Sequence, residues 1–126
     1  MLDMIFAAAL ALGLPVQATD WRILGNNDAG TEFAVDRASV REMDGFRSAR
    51  TRANYRASKQ ADDAVAERLY IEEFDCAGHR TRLRQVKTYS DAGALLKTFD
   101  YALDESEWQA ARPETIADSK LGVVCA

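Results

Sequence analysis

The chain has 126 residues, a length that suits one domain and is short for two. Its formal net charge is −4, and twelve of its 16 lysine and arginine residues lie between Arg37 and Lys87. The mild acidity argues against a general nucleic-acid-binding protein. The clustering predicts that any anion-binding surface comes from the middle of the chain.

An uncharged apolar run occupies residues 4–14 (MIFAAALALGL), and it is shorter than the roughly 20 apolar residues that cross a bilayer. Pro15 ends the run, and Val16-Gln17-Ala18 offers the small residues that a signal peptidase recognises. This pattern favours an export signal over a buried N-terminal helix. No transmembrane segment is expected.

We therefore predict a signal peptide at 1–18 and a single exported domain at 19–126. Asp3 is atypical, because basic residues usually precede the apolar run of a signal. No cysteine follows the run, so a soluble protein of the periplasm, the outer envelope surface or the medium is expected rather than a lipoprotein.

Six segments after this point show strand-like patterns, and Asn, Asp or Gly lies in most of the connections between them. The polar, alanine-rich residues 58–67 are interpreted as a loop, with a short helical turn as the alternative. The predicted strands span residues 21–24, 31–36, 46–55, 68–76, 80–90 and 94–101.

The end of the chain has the period of a helix. From Pro113 onward, residues at i, i+4, i+7 and i+8 share one face: Ala117, Leu121, Val124 and Cys125. Pro113 suits a first helical turn. Several strands followed by one helix indicate an α+β fold, an antiparallel sheet of about six strands with a C-terminal helix packed on one face.

Cys76 and Cys125 are the two cysteines of the chain. An even pair in a small exported protein is usually a structural crosslink, so we predict a disulfide that tethers the helix to the sheet. Two unpaired buried thiols are the alternative.

Short pieces along nearly the whole mature chain resemble one family when they are taken in order. They are Trp21, residues 33–36, 39–40 and 73–76, Arg80, Arg82, residues 89–90, Trp108, Pro113 and residues 123–125. The combination is similar to the surface-adhesin protein E family of bacterial exported proteins. The resemblance implies a sheet with a disulfide-held C-terminal helix and a non-enzymatic role, and the name-giving branch of the family binds host extracellular-matrix proteins.

The chain departs from the family pattern at Pro113-Glu114-Thr115, where Pro-Gly-Ser is commoner. Arg50 and Arg52 stand in the third strand, where a tryptophan is usual, and the lipid-anchor cysteine is absent. These departures bear on adhesion more than on the fold.

Catalytic and metal-binding patterns are weak. His79 is the single histidine, and a zinc site built on Cys76, His79, Cys125 and Asp75 would lack the usual second pair of closely spaced ligands. His79 is therefore interpreted as a surface turn residue. With no nucleophile elbow and no facing carboxylate pair, we expect no enzyme, no cofactor and no metal.

The alternating arginines are the candidate ligand-binding residues. Arg80, Arg82 and Arg84 share one face of their strand, and Arg50 and Arg52 share one face of theirs. A joint guanidinium patch would bind acidic protein segments or anionic glycans. The alternative is cross-strand pairing with the nearby acids Glu72, Glu73 and Asp75.

Trp21 and Trp108 are interpreted as core residues under the helix, because a small sheet needs large apolar groups there. The expected function is binding, adhesin-like, to a matrix protein or an anionic glycan, and homodimerisation stays open. Two alternatives are inhibition of a secreted enzyme such as lysozyme and a structural role in the envelope.

Overall fold

The structure is a computed structural model that describes residues 18–59 and 64–126. The predicted signal peptide lies outside the described residues except for Ala18, and so do residues 60–63 of the predicted loop. The described parts of that loop, residues 58–59 and 64–66, form turns and irregular backbone.

Six strands form an antiparallel meander in which each strand pairs with its neighbours in sequence. This arrangement confirms the predicted sheet. The strands are β1 (Trp21–Asn26), β2 (Glu32–Glu42), β3 (Arg47–Asn54), β4 (Glu67–Asp75), β5 (Arg80–Tyr89) and β6 (Leu95–Asp100). A short strand that the sequence did not indicate, β7 (Gln109–Ala110), pairs with the first two residues of β5.

The turn between β1 and β2 shows why the connections carry Asn and Gly. The Asn27 side-chain oxygen accepts hydrogen bonds from the backbone N–H groups of Ala29 and Thr31, both at 3.0 Å. Gly30 has a φ of 90°, and an added Cβ would lie 2.9 Å from the carbonyl oxygen of Ala57. A side chain at this position would therefore be strained and crowded.

The helix α1 spans Ile116–Val124, three residues later than a start at Pro113. Glu114 has a left-handed φ of 66°, and the Thr115 hydroxyl accepts a hydrogen bond from the backbone N–H of Asp118. Thr115 is therefore the N-cap, and the predicted first turn is wrong because the backbone before it is not helical.

The core lies between α1 and one face of the sheet. Leu121 and Val124 of the helix pack on Val35, Ala49 and Phe74, and all five are buried. The Cys76–Cys125 disulfide joins the end of β4 to the end of the helix across a Cα–Cα distance of 5.7 Å. The predicted helix face and the predicted crosslink are both confirmed.

The strand register defines two sheet faces, because directly opposed residues of antiparallel strands point to the same side. The helix face carries Ala49, Glu72 and Leu83, which are opposed across β3, β4 and β5. The arginine face, on the other side, carries Ser48, Glu73 and Arg82 in the neighbouring register positions. Within the described residues, no helix has the length and apolar character needed to cross a membrane.

Candidate functional site

The strand register brings the five candidate arginines to the arginine face. Arg50 lies two residues from Ser48 on β3, and Ser48 is opposed to Glu73, which is opposed to Arg82 on β5. Arg84 lies at a register shift, between the paired residues Leu83 and Gln85 of β5, and its guanidinium reaches Glu73 on this side. The remaining two candidates, Arg52 and Arg80, follow the same alternation.

Every one of these arginines has a carboxylate neighbour. The shortest ion pairs are Arg80–Asp75 and Arg82–Glu73, both at 2.6 Å, and Arg50–Asp36 at 2.8 Å. Longer approaches complete the set: Arg52 to Glu32 and to Glu67, both at 3.8 Å, and Arg84 to Glu73 at 3.9 Å. The five cations are thus matched by five carboxylates, so the face is polar without a large excess of positive charge.

The expected pairing with Glu73 and Asp75 is confirmed, but Glu72 was assigned wrongly. Glu72 lies on the helix face, where its Oε1 accepts hydrogen bonds from Lys120 and from the Thr51 hydroxyl, both at 2.6 Å. Strand alternation puts Glu72 on the same face as Tyr70 and on the opposite face from Glu73. The sequence was therefore sufficient to predict that Glu72 does not pair with the arginines.

Two tryptophans lie on the arginine face and stack against its guanidinium groups. Trp21 lies under Arg52, with 4.4 Å from the guanidinium carbon to the ring centroid. Trp108 lies under Arg82 at 4.2 Å and under Arg80 at 5.3 Å. Both stacks are within the range of favourable cation–π contact.

The interpretation of Trp21 and Trp108 as residues under the helix is therefore wrong. The space between the helix and the sheet is filled by Phe74 and by short side chains such as Val35 and Ala49. The large aromatic rings occupy the opposite side, where arginine stems and guanidinium planes cover part of their surface.

Phe46 extends the stack around Trp108. Its ring meets the Trp108 ring edge-on at 5.9 Å between centroids, with an interplanar angle of 68°. Arg82 lies 5.7 Å from the Phe46 centroid as well. One guanidinium thus contacts two aromatic rings and the Glu73 carboxylate, which fixes its plane.

The arginine face has unsatisfied donors. The Nε atoms of Arg50 and Arg52 and one terminal nitrogen of Arg84 are buried and have no hydrogen-bond partner among the described residues. Buried donors are normally paired. Arg50 and Arg52 are held by their ion pairs and by the Trp21 ring, and Arg84 is held by its approach to Glu73.

Two carboxylates of this face are held in the ionised form. Burial opposes ionisation of Asp36, but the backbone N–H of Asp20 and the Arg50 guanidinium outweigh it, so the pKa of Asp36 is lowered. The backbone N–H of Gly78 and the Arg80 guanidinium lower the pKa of Asp75. Both acids stay charged at neutral pH, and their arginines stay paired.

His79 lies in the turn after Cys76 and is half exposed, as expected. Its Nε2 is 2.8 Å from an oxygen of Asp118 in the first turn of α1, so it links the turn to the helix. Neither cysteine is a free thiol, since each is in the disulfide. In residues 18–59 and 64–126 no group of three or more His, Cys, Asp or Glu side chains is arranged to hold a metal ion.

Comparison with known proteins gives one result that covers most of the chain. The sequence model of the family described as surface-adhesin protein E matches residues 21–126. No curated protein matches the chain. The matched segment includes every strand, the helix, both cysteines and both tryptophans. The chain belongs to the surface-adhesin protein E family.

Proposed function

We propose that the protein is an exported, non-catalytic binding module that contacts a host matrix protein through its arginine face. Membership of a surface-adhesin family supports an adhesin-like role outside the cytoplasm. The disulfide supports the same compartment, because such crosslinks form and persist where the surroundings are oxidising.

The stacked pairs Trp21–Arg52 and Trp108–Arg82 are the observation that carries this proposal. Tryptophan and arginine are the residues that most often dominate the binding energy of protein interfaces. A rigid sheet holds both pairs in place, so little side-chain freedom remains to be lost when a partner binds.

The charge of this face favours a protein partner over a sulfated polysaccharide. Five carboxylates accompany the five arginines, whereas polyanion binding needs a surplus of cations. A protein surface with its own mixture of charges and apolar groups fits better.

Capture of matrix proteins by the immobilised, oxidised protein tests the proposal. We expect Trp108→Ala and Trp21→Ala each to weaken capture about tenfold or more. Phe99→Ala is the matched control, because Phe99 is an exposed aromatic residue, at 45%, opposed to Val86 on the helix side of the sheet. Unchanged capture by both tryptophan variants would contradict the proposal, as would an equal loss in Phe99→Ala.

A heparin column separates the protein partner from the glycan. We expect weak retention that is insensitive to the double substitution Arg80→Ala with Arg82→Ala. Strong retention that this double variant abolishes would assign the face to sulfated glycans instead.

A further inference from the structure

A cleft of about 530 Å³ lies on the helix face beside α1, between the helix, strands β4 and β5 and the chain segment 101–109. Its volume is within the range of small-molecule sites. The two strands provide the floor, the segment provides a wall, and Lys120 lines the cleft from the helix. The helix therefore leaves part of this face accessible to a ligand.

The strand register directs side chains of the floor into the cleft. Glu72 of β4 is opposed to Leu83 of β5, and Thr81 of β5 is opposed to Gln109 of β7. Directly opposed residues point to the same side of the sheet, and all four line the cleft. Regular strand pairing thus holds these groups in place without a ligand.

Thr81 has a hydroxyl group that is available to a ligand. The residue is only 9% exposed, and its hydroxyl makes no hydrogen bond with any residue that the structure describes. Polar groups in such a position normally have a partner. The hydroxyl is not fully enclosed by protein and belongs to a lining residue of the cleft, so a bound molecule can complete its hydrogen bonding.

The floor also contains an ion pair with spare hydrogen-bonding capacity. Glu72 and Lys120 are each 9% exposed, and Glu72 Oε1 accepts from the Lys120 ammonium and from the Thr51 hydroxyl, both at 2.6 Å. Glu72 Oε2 accepts no hydrogen bond from residues 18–59 or 64–126, and the ammonium has further hydrogens to donate. The pair has no net charge, and it presents donors and an acceptor side by side.

The rim of the cleft adds polar groups and a slight negative charge. Three polar side chains of the rim have no hydrogen bond within the described chain: Tyr101, Ser106 and Gln109. Glu105 and Glu107 also line the cleft, whereas the guanidinium of Arg82, a further lining residue, is paired with Glu73 on the arginine face. This charge disfavours sulfated and other anionic ligands.

Uncharged sugars fit this combination of groups. Each sugar hydroxyl donates and accepts at once, which matches a floor that offers both kinds of group next to each other. The C–H groups of a sugar ring need an apolar surface, and Tyr70, Tyr101 and Leu83 line the cleft. A basic side chain fits less well, because the buried Glu72 carboxylate is already neutralised by Lys120.

We propose that this cleft binds an uncharged sugar unit, with Thr81, Gln109 and the Glu72–Lys120 pair as the groups that bond its hydroxyls. The site lies on the opposite side of the sheet from Trp21 and the arginine face, so the inference goes beyond the proposed function and does not depend on it.

Nuclear magnetic resonance titration of the ¹⁵N-labelled, oxidised protein with the methyl glycosides of glucose, galactose, mannose and N-acetylglucosamine tests the cleft. We expect at least one of them to give saturable shifts of the Thr81, Leu83 and Gln109 amides, with a Kd on the order of 1–10 mM, typical of so small a ligand. The indole signal of Trp21, on the arginine face, should stay in place.

Thr81→Val is the informative variant, because valine keeps the branched shape and removes only the hydroxyl, which has no partner within the described chain. We expect it to weaken sugar binding about fivefold. Thr88→Val is the matched control, since Thr88 is also a buried threonine on the helix face of β5, at 7% exposure, and does not line the cleft; it should bind like the parent protein.

Three results would overturn the sugar site: no saturable shift with any of the four glycosides, equal losses in both threonine variants, or tighter binding of a lysine capped at both ends than of every glycoside. The last result would make the cleft an acidic site for a basic side chain. Matrix protein freed of its glycans keeps the capture experiment independent of this cleft, so either proposal can fail alone.

Discussion

The two faces of the sheet use the same strands for opposite purposes. The helix face is covered by α1 and buries small apolar groups around Phe74. No helix among residues 18–59 and 64–126 covers the arginine face, which displays Trp21 and Trp108 under guanidinium groups. The two tryptophans thus lie on the arginine face, whereas the helix face packs Phe74 among short side chains such as Val35 and Ala49.

The comparison shows where stability and recognition are separated in this fold. Burial of Phe74, Leu121 and Val124 together with the disulfide holds the domain together. The ion pairs of the arginine face range from Arg80–Asp75, whose arginine is 44% exposed, to the nearly buried Arg82–Glu73. Surface pairs add little stability, and the desolvation of buried pairs offsets most of their attraction, so these arginines can serve a surface role. Substitutions on the two faces should therefore have different consequences, and each prediction below tests that difference.

The largest stability loss is expected from Phe74→Ala. Phe74 is fully buried, and removing a buried phenylalanine typically costs about 3–5 kcal/mol of unfolding free energy. Trp108→Ala, on the arginine face, should cost about 1 kcal/mol because it removes mainly stacking contacts. Urea unfolding measures both, and equal losses would erase the distinction between the faces.

Removal of the crosslink ranks next. The double variant Cys76→Ser with Cys125→Ser should lose about 2–4 kcal/mol, because the disulfide closes a loop between residues 49 positions apart. Below the unfolding midpoint, its matrix capture should be unchanged, since neither tryptophan contacts the helix end. Loss of capture in the folded variant would tie the arginine face to the helix.

Two ion pairs of equal length allow a direct comparison of the faces. Lys120–Glu72 and Arg82–Glu73 both measure 2.6 Å, and all four side chains are nearly buried. Lys120→Met should lower the free energy of unfolding by about 2 kcal/mol, because it leaves the Glu72 carboxylate buried under the helix without its cation. Arg82→Met should cost less, since Arg84 lies 3.9 Å from Glu73 and stays to compensate it.

The same unfolding experiment reads out this pair of variants. A Lys120→Met variant combined with Glu72→Gln should recover part of the loss, because the combination leaves no buried charge. Equal costs for Lys120→Met and Arg82→Met would show that the arginine cluster gives no compensation.

The smallest effect is expected on acidification. The pKa values of Asp36 and Asp75 on the arginine face are lowered, and so is that of Asp118, through the backbone N–H of Glu114 and then His79. The stability from these carboxylates is present above the ordinary aspartate pKa of about 3.9 and is lost as the pH falls through the lower folded values.

Urea midpoints at pH 7, 4 and 3 test this direction. The midpoint should fall below about pH 4, and Asp75→Asn should make the fall shallower than in the parent protein. A midpoint that rises on acidification would contradict the assigned shifts.

Much of the fold follows from local patterns. Strand alternation, turn residues and the helical period from Ala117 to Cys125 each depend on neighbours in sequence. They located six strands and the helix, but the second strand was predicted to end at Asp36 and continues to Glu42. The cysteine pair then fixed which end of the sheet the helix meets. The start of α1 was missed because Thr115 competes with Pro113 as a helix-start signal.

The candidate site was only partly accessible from the sequence. Alternation showed which arginines share a side of their own strand, and the hairpin showed which acids lie near. Neither pattern shows which side of the sheet the helix covers, so the sequence analysis placed Trp21 and Trp108 under the helix. Residues 37–40 of β2 have no opposed partners in β3, and the Ser39 hydroxyl takes the place of a strand carbonyl by accepting a hydrogen bond from the backbone N–H of Arg50. A serine within a strand pattern does not indicate such an irregularity.

The indole N–H signals of Trp21 and Trp108 provide the most direct test of the central claim, because the chain has two tryptophans and one lies in each stack. On addition of a captured matrix protein to ¹⁵N-labelled protein, both indole signals should shift or broaden while the amides of α1 stay in place. Unchanged indole signals with shifts confined to α1 or to Leu103, which is exposed beyond β6, would contradict it.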